Sequence, residues 1–295
     1  LYQQGGTNDG PGENIYFDFP IVSPTKRYNA MAFATWEATP DLTVELGFNY
    51  GHGEGRHRAV AYRNIAIPIY EDNPFIPRST DPSLDLRTLM AGLTPGANGL
   101  RSTTLGKGFK DVGPGDLVVK NNVYRFVGSA TYNIAEKWKA DFYYQYGRNE
   151  FRSDITGGTV TSRIVNALDA APGPNNTIAC RINVDANPNN NDPNCVPLNP
   201  FGSGQGAQFE AAKNYVRANA FQTNNTTQHV VAANVTGSLF ALPGGDLGVA
   251  VGGEYRSDSV SGDADALSKS LAFFTGNGAA ISGKIRGAES YGEVG

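Results

Sequence analysis

Between Leu42 and His52 the chain alternates almost without error. Leu42, Val44, Leu46, Phe48, Tyr50 and His52 share one parity, while Thr43, Glu45, Gly47, Asn49 and Gly51 share the other. The pattern returns over Trp138–Asn149, where Trp138, Ala140, Phe142, Tyr144 and Tyr146 alternate with Lys139, Asp141, Tyr143, Gln145, Gly147 and Asn149. Side chains on a strand point to opposite faces with period two. Runs of about 10 residues, apolar on one face and polar on the other, are the mark of strands that cross an outer membrane. Soluble sandwiches use runs of about 5–6. The expected fold is therefore all-β: a partial transmembrane antiparallel up-and-down β-barrel with long loops that contain short helices.

The same reading predicts seven long strands: Arg27–Glu37, Leu42–His52, Asn121–Asn133, Trp138–Arg152, Gln228–Leu242, Leu247–Ser257 and Ile281–Gly295. Short turns join three pairs of them, at Ala38–Asp41, Ile134–Lys137 and Pro243–Asp246, with the Pro, Gly and Asp content of hairpins. The connections between pairs, 53–120, 153–227 and 258–280, are long and rich in Gly, Pro, Asn and Asp. Short turns at one end and long loops at the other are the asymmetry of outer-membrane barrels. Within the loops, Gln205–Ala220 carries Phe209, Ala212 and Val216 at helical spacing, and Thr161–Ala170 predicts a second short helix. The whole of 1–295 reads as part of one barrel domain.

Parity also assigns faces. Tyr28, Trp36, Val44, Leu46, Phe48, Phe126, Phe142, Tyr144, Val249 and Val251 are expected to face lipid. Glu45, Arg125, Lys139, Asp141, Glu254 and Arg256 are expected to face the lumen, because charges on a long strand must meet water. A solvent-exposed sheet face is the alternative. On the first strand Tyr28 and Trp36 bracket Ala30, Ala32 and Ala34, and eight residues at ~3.3 Å rise and ~40° tilt cover ~20 Å of the membrane normal.

Composition narrows the classes. The chain has 295 residues, net charge −4, 36 Gly, 14 Tyr and 15 Phe, so no basic footprint points to nucleic acid. No apolar run reaches the ~18–20 residues of a spanning helix. The two cysteines, Cys180 and Cys195, sit in an Asn/Pro-rich loop and read as a disulfide in an oxidising compartment. Unpaired thiols are the alternative, and Cys-x14-Cys lacks the close pairs of a zinc site.

Candidate chemistry is sparse. His52 and His57 in His-Gly-Glu-Gly-Arg-His have no third metal ligand at a plausible spacing and no Gly-x-Ser-x-Gly elbow to serve. His229 begins a strand and reads as an interfacial side chain. Asp185–Asp192 offers alternating oxygens, yet Asn190 stands where a calcium loop needs Gly and Val196 where it needs Glu. Gly202–Gly206 precedes the predicted helix and could hold an anion only weakly. The reading assigns no catalytic residue, no metal and no cofactor, and the protein is not expected to be an enzyme.

Several stretches resemble the TonB-dependent receptors of the outer membrane: Asp72-Asn-Pro-Phe-Ile-Pro77, Cys195-Val-Pro-Leu-Asn-Pro-Phe-Gly202, the hairpin Gly237–Arg256 and Glu289-Ser-Tyr-Gly-Glu293. The resemblance covers nearly the whole chain. It implies a barrel of roughly 22 strands closed by an N-terminal plug, the size class of plugged transporters. It also implies energised uptake of a scarce external ligand (siderophore, oligosaccharide, cobalamin or peptide). The partners it implies are outer-membrane lipid, the plug and remaining strands of the same protein, and a TonB-type coupling complex reached through the N-terminus. The location implied is the outer membrane of a Gram-negative bacterium. With Leu1 in place of an initiator Met and no leader before Gln3, and with the last run cut at Gly295, the chain reads as an internal fragment. A surface or adhesive β protein and a passive porin are the alternatives.

Overall fold

A computed structural model describes residues 20, 22–83, 85–202 and 204–295. The reading of Leu1 and Gln3 lies outside the described residues. In chain order the elements are β1 (Thr25–Thr39), β2 (Leu42–Arg58), β3 (Arg63–Tyr70), α1 (Leu86–Met90), β4 (Ser102–Gly108), β5 (Asp116–Ala135), β6 (Trp138–Thr159), α2 (Thr161–Leu168), β7 (Ala170–Pro172), β8 (Ile178–Cys180), α3 (Ala207–Val216), β9 (Arg217–Leu242), β10 (Gly245–Ala264), α4 (Ala266–Lys269) and β11 (Ile281–Val294).

Seven of these strands form one antiparallel sheet in the order β1-β2-β5-β6-β9-β10-β11. Apart from the small β3–β4 and β7–β8 hairpins, each strand pairs with the next long strand along the chain. This order follows from the two kinds of connection. Two-residue turns (Pro40-Asp41, Glu136-Lys137 and Pro243-Gly244) close three hairpins. Proline at the first turn position sets φ near −65°, which the left-handed two-residue hairpin turns cannot use. At the two proline turns the mismatch is absorbed where the register shifts between Glu37 and Thr39 and between Asp246 and Gly248; a like shift between Asn133 and Ala135 adjoins the turn without proline. β1 and β11 do not pair with each other, so the described sheet is open and has two free edges.

The strands run further than the alternating pattern predicts. β6 has 22 residues and β9 has 26, so the long connections shorten to 59–115, 160–216 and 265–280. The extensions are polar on both faces, as in Thr223-Asn-Asn-Thr-Thr-Gln228, and carry no period-two contrast for sequence reading to detect. His229 accordingly lies midway along β9 rather than at its start, beside the Tyr144 and Tyr146 rings.

The loops build a core of their own at one end of the sheet. Ile67, Ile69, Ile76, Met90, Phe109 and Val112 from the first loop pack with Ile164, Leu168, Leu198, Ala212 and Val216 from the second. The two predicted helices are present as α2 and α3, somewhat shorter than their sequence signals. The β3–β4 hairpin was not predicted: its bulge between Asn64 and Ile67 breaks the alternation of Ile65, Ile67 and Ile69. Ile65 is left 88% exposed while Ile69 is fully buried, so one periodic run divides between solvent and core.

The two Asn-Pro-Phe motifs make the same turn. Phe75 N–H donates to Asn73 Oδ1 at 2.9 Å, and Phe201 N–H donates to Asn199 Oδ1 at 2.8 Å. Such Asx turns suit the Asn side chain, and the following proline lacks the N–H that would compete. Each turn delivers a buried residue to the loop core, Ile76 and Leu198. Cys180 and Cys195 form a disulfide that ties the second loop across 15 residues.

Candidate functional site

Register decides which side chains meet. Trp36, Val44, Ala130, Phe142, Ala233 and Gly253 form one cross-strand row, and Ala34, Leu46, Gly128, Tyr144, Val231 and Tyr255 form the next. All ten residues expected to face lipid lie on this one face. Leu46, Phe48, Phe126, Phe142, Val251 and Tyr255 on it are exposed. The apolar character fades at β11, where Arg286 and Ser290 share the face.

The opposite face gathers Glu45, Arg125, Lys139, Asp141, Glu254 and Arg256, all six residues expected there. They make short-range polar pairs rather than one centre. Ser129 Oγ donates to Glu45 at 3.3 Å, Thr131 Oγ1 donates to Asp141 at 2.8 Å, and Lys139 stands 3.0 Å from the same Asp141. Arg256 pairs with Glu254 at 3.2 Å along one strand. The face is not purely polar: Met31 and Phe33 on β1 and Val127 and Val230 further in belong to it.

One hydrogen-bond ladder crosses four strands of this face. Arg125 Nη2 donates to Gln145 Oε1 at 2.7 Å, Gln145 Nε2 to Gln228 Oε1 at 2.7 Å, and Gln228 Nε2 to Asp258 Oδ1 at 2.8 Å. The ladder has a cation at one end, a carboxylate at the other and two amphoteric amides between them. It lies in an open hollow of about 520 Å³ lined by side chains of the same face, including Val123, Asn149, Thr226 and Val260. Gln228 and Asp258 were absent from the sequence reading of the site. They sit where β9 and β10 extend beyond their apolar stretches.

The histidines and loop motifs find internal partners. His52 Nδ1 lies 2.7 Å from Asn122 Oδ1 and its ring stacks on Tyr28, while His57 Nδ1 lies 3.3 Å from Ser23 Oγ. Asp185 accepts from Asn187 N–H and Asn190 Nδ2, and Asp192 accepts the Tyr215 hydroxyl at 2.6 Å. Burial, reinforced by that hydrogen bond to Asp192, raises the Tyr215 phenol above its ordinary range. Ser203 of the Gly202–Gly206 segment lies outside the described residues. Its neighbour Gly204 donates its N–H to Asp111 Oδ2 at 3.0 Å, so a carboxylate of the chain itself meets this loop.

Between the loops stands an ionic clamp. Arg181 donates through both terminal nitrogens to Asp72, at 2.7 and 2.9 Å, and through Nε to Asp169 at 2.9 Å. Its guanidinium also lies 4.7 Å from the centre of the Tyr70 ring. Burial opposes the charge on Arg181, but the two carboxylates outweigh it and hold the group protonated. Asp169 is the strained partner: burial raises its carboxyl, and Arg181 offsets only part of that rise.

Among the described residues no cluster of His, Cys, Asp and Glu could hold a metal ion. No helix among them is long and apolar enough to cross a membrane, which says nothing of crossing by strands. In comparisons with known proteins, no family model matches this chain and no curated protein matches it.

Proposed function

We propose that this chain is a wall segment, with its outer loops, of an outer-membrane β-barrel that imports an external ligand by a TonB-dependent mechanism. The observation that carries the reading is the exposed apolar face that runs through the long strands from β1 to β10. A water-soluble monomer rarely leaves so large an apolar surface bare. On β6 the face runs from Trp138 to Tyr146 before the Arg148–Glu150 ion pair interrupts it. From Trp138 to Tyr146, eight residues at ~3.3 Å and ~40° tilt give about 20 Å, close to the ~25 Å height of a barrel's apolar band. Charged groups on the other face and a packed cap of loops above one end suit a lumen and an extracellular side. The free edges of β1 and β11 carry backbone groups that lipid cannot satisfy, so in a membrane both must pair with further strands.

Transport by an occluded receptor is testable without knowing the ligand. The full-length protein should fractionate with the outer membrane and show heat-modifiable electrophoretic mobility. In planar bilayers it should pass no current until urea loosens the plug. Steady stepwise conductance without urea would overturn the reading in favour of a passive porin. Recovery as a soluble protein would overturn the membrane assignment itself.

A further inference from the structure

The charges of β10 and β11 divide by face. The face that holds Glu254 and Asp258 also carries Glu289 and Glu293 on β11. On the apolar face, 249–261 of β10 and 282–294 of β11 hold no carboxylate. Lys284 and Arg286 stand there on one strand, about 7 Å apart along it. Both are exposed, and neither has an ion-pair partner among the described residues. Other cations of this face are neutralised on their own strands: Arg148 lies 2.7 Å from Glu150, Arg152 2.6 Å from Asp154 and Arg56 3.2 Å from Glu54. Register sets hydroxyls beside the unpaired cations. Arg286, Ser257 and His229 form one cross-strand row, and Lys284, Ser259 and Thr227 form the next. The first of these rows runs on into Tyr146, Phe126 and Phe48, so Arg286 stands level with an aromatic row of the apolar face.

We propose that this corner of the apolar face docks a phosphate-bearing lipid headgroup from the leaflet on the loop side. A lone cation on a surface that meets lipid is costly, and an anion set beside it offsets that cost. An oxyanion with several acceptor atoms suits the donors present: a guanidinium fork, an ammonium and the hydroxyls of Ser257, Ser259 and Thr227. Ser257 is only 8% exposed, so a hydrogen bond to it forms largely out of water. Continuity with apolar surface commits the site to lipid rather than to free phosphate. One row towards the turns, Tyr255 and Val231 are 44% and 36% exposed, and Val251 further on is 57% exposed. Beside them Ala288, Gly253 and Ala233 carry little or no side chain, which leaves room for acyl chains directly below the cations. Long basic side chains lie along apolar surface while their charged ends reach toward the headgroups. The proposal deepens the membrane reading of this face and rests on it for the presence of lipid.

The test uses full-length protein in a neutral detergent, with bound lipids counted by native mass spectrometry. Dioleoyl phosphatidic acid supplies a lipid-borne phosphate, dioleoyl phosphatidylcholine the same chains without net charge, and inorganic phosphate the anion without chains. Phosphatidic acid should bind at least tenfold more tightly than phosphatidylcholine, and a hundredfold excess of inorganic phosphate should not displace it. Lys284→Gln and Arg286→Gln should each cut that preference fivefold or more, while Arg286→Lys, which keeps the charge, should retain most of it. Lys213→Gln, on α3 and with the same change of charge, should leave it unaltered. Equal binding of the two lipids, a preference indifferent to Lys284→Gln and Arg286→Gln, or displacement by inorganic phosphate would overturn the site. Indifference is the result expected if a carboxylate on the strand that completes the β11 edge already neutralises the two cations. Membrane fractionation of the same protein judges the membrane reading separately. An inserted protein without the lipid preference loses only this site, whereas a soluble one loses both.

Discussion

Leu46→Arg and Glu45→Arg change neighbouring residues on opposite faces, and comparing them tests the membrane assignment directly. Leu46 is 46% exposed, so an arginine there meets whatever surrounds the apolar face. Leu46 lies one residue from the middle of the alternating stretch Leu42–His52 on its own strand, or about 2.5 Å along the normal. A cationic side chain on the lipid face near mid-height costs about 2–4 kcal/mol. Were that face bathed in water, the same substitution would stay within about 0.5 kcal/mol. Glu45→Arg, on the other face, should fall in that smaller range. The assay is urea unfolding of the full-length protein in lipid vesicles, with ΔΔG taken from the midpoint at unchanged slope. Equal small costs at both positions would refute the lipid-facing assignment. A larger cost at Glu45 would refute the parity itself, because a one-residue slip exchanges the two faces.

Gly157→Ala should destabilise the junction of β6 with the loops by about 1–3 kcal/mol, since alanine at positive φ is strained. Gly157 has φ +71°, and the Arg217 guanidinium lies where a Cβ would go; hydrogen exchange at 155–160 and 217–220 reads the effect. Reduction of Cys180–Cys195 should release 181–194 with a local loss of about 3 kcal/mol, the loop-closure value for 15 residues, while the sheet keeps its exchange protection. Equal deprotection of β6 and β9 would show that the loops hold the sheet together. Asp85 caps α1 by accepting from Thr88, Ser79 and Arg87 N–H, which holds its carboxyl below the ordinary range. A depressed folded pKa contributes stability above the ordinary carboxylate pKa and loses it as pH falls through the folded value. Exchange protection of 86–91, corrected for intrinsic rates, should therefore drop in acid, whereas Asp85→Asn, still a capping residue, should remove that pH dependence.

Much of the sheet was legible because each long strand has a different environment on its two faces. That contrast writes itself into Leu42–His52 and Trp138–Asn149 as period two, and Pro40, Pro243 and Gly244 mark the reversals between strands. The seven strands, their pairing in chain order and the sharing of one face by Glu45, Arg125, Lys139, Asp141, Glu254 and Arg256 all follow from that local information. The strand extensions did not show, because where both faces are polar the period has no amplitude. Nor did the β3–β4 hairpin, whose bulge turns Ile65 outward from a row that otherwise enters the core. The ladder from Arg125 to Asp258 joins residues far apart in the chain. Sequence determines which face each of these residues occupies. Only the register between strands, set by bulges, turn lengths and loop packing, decides which of them stand side by side.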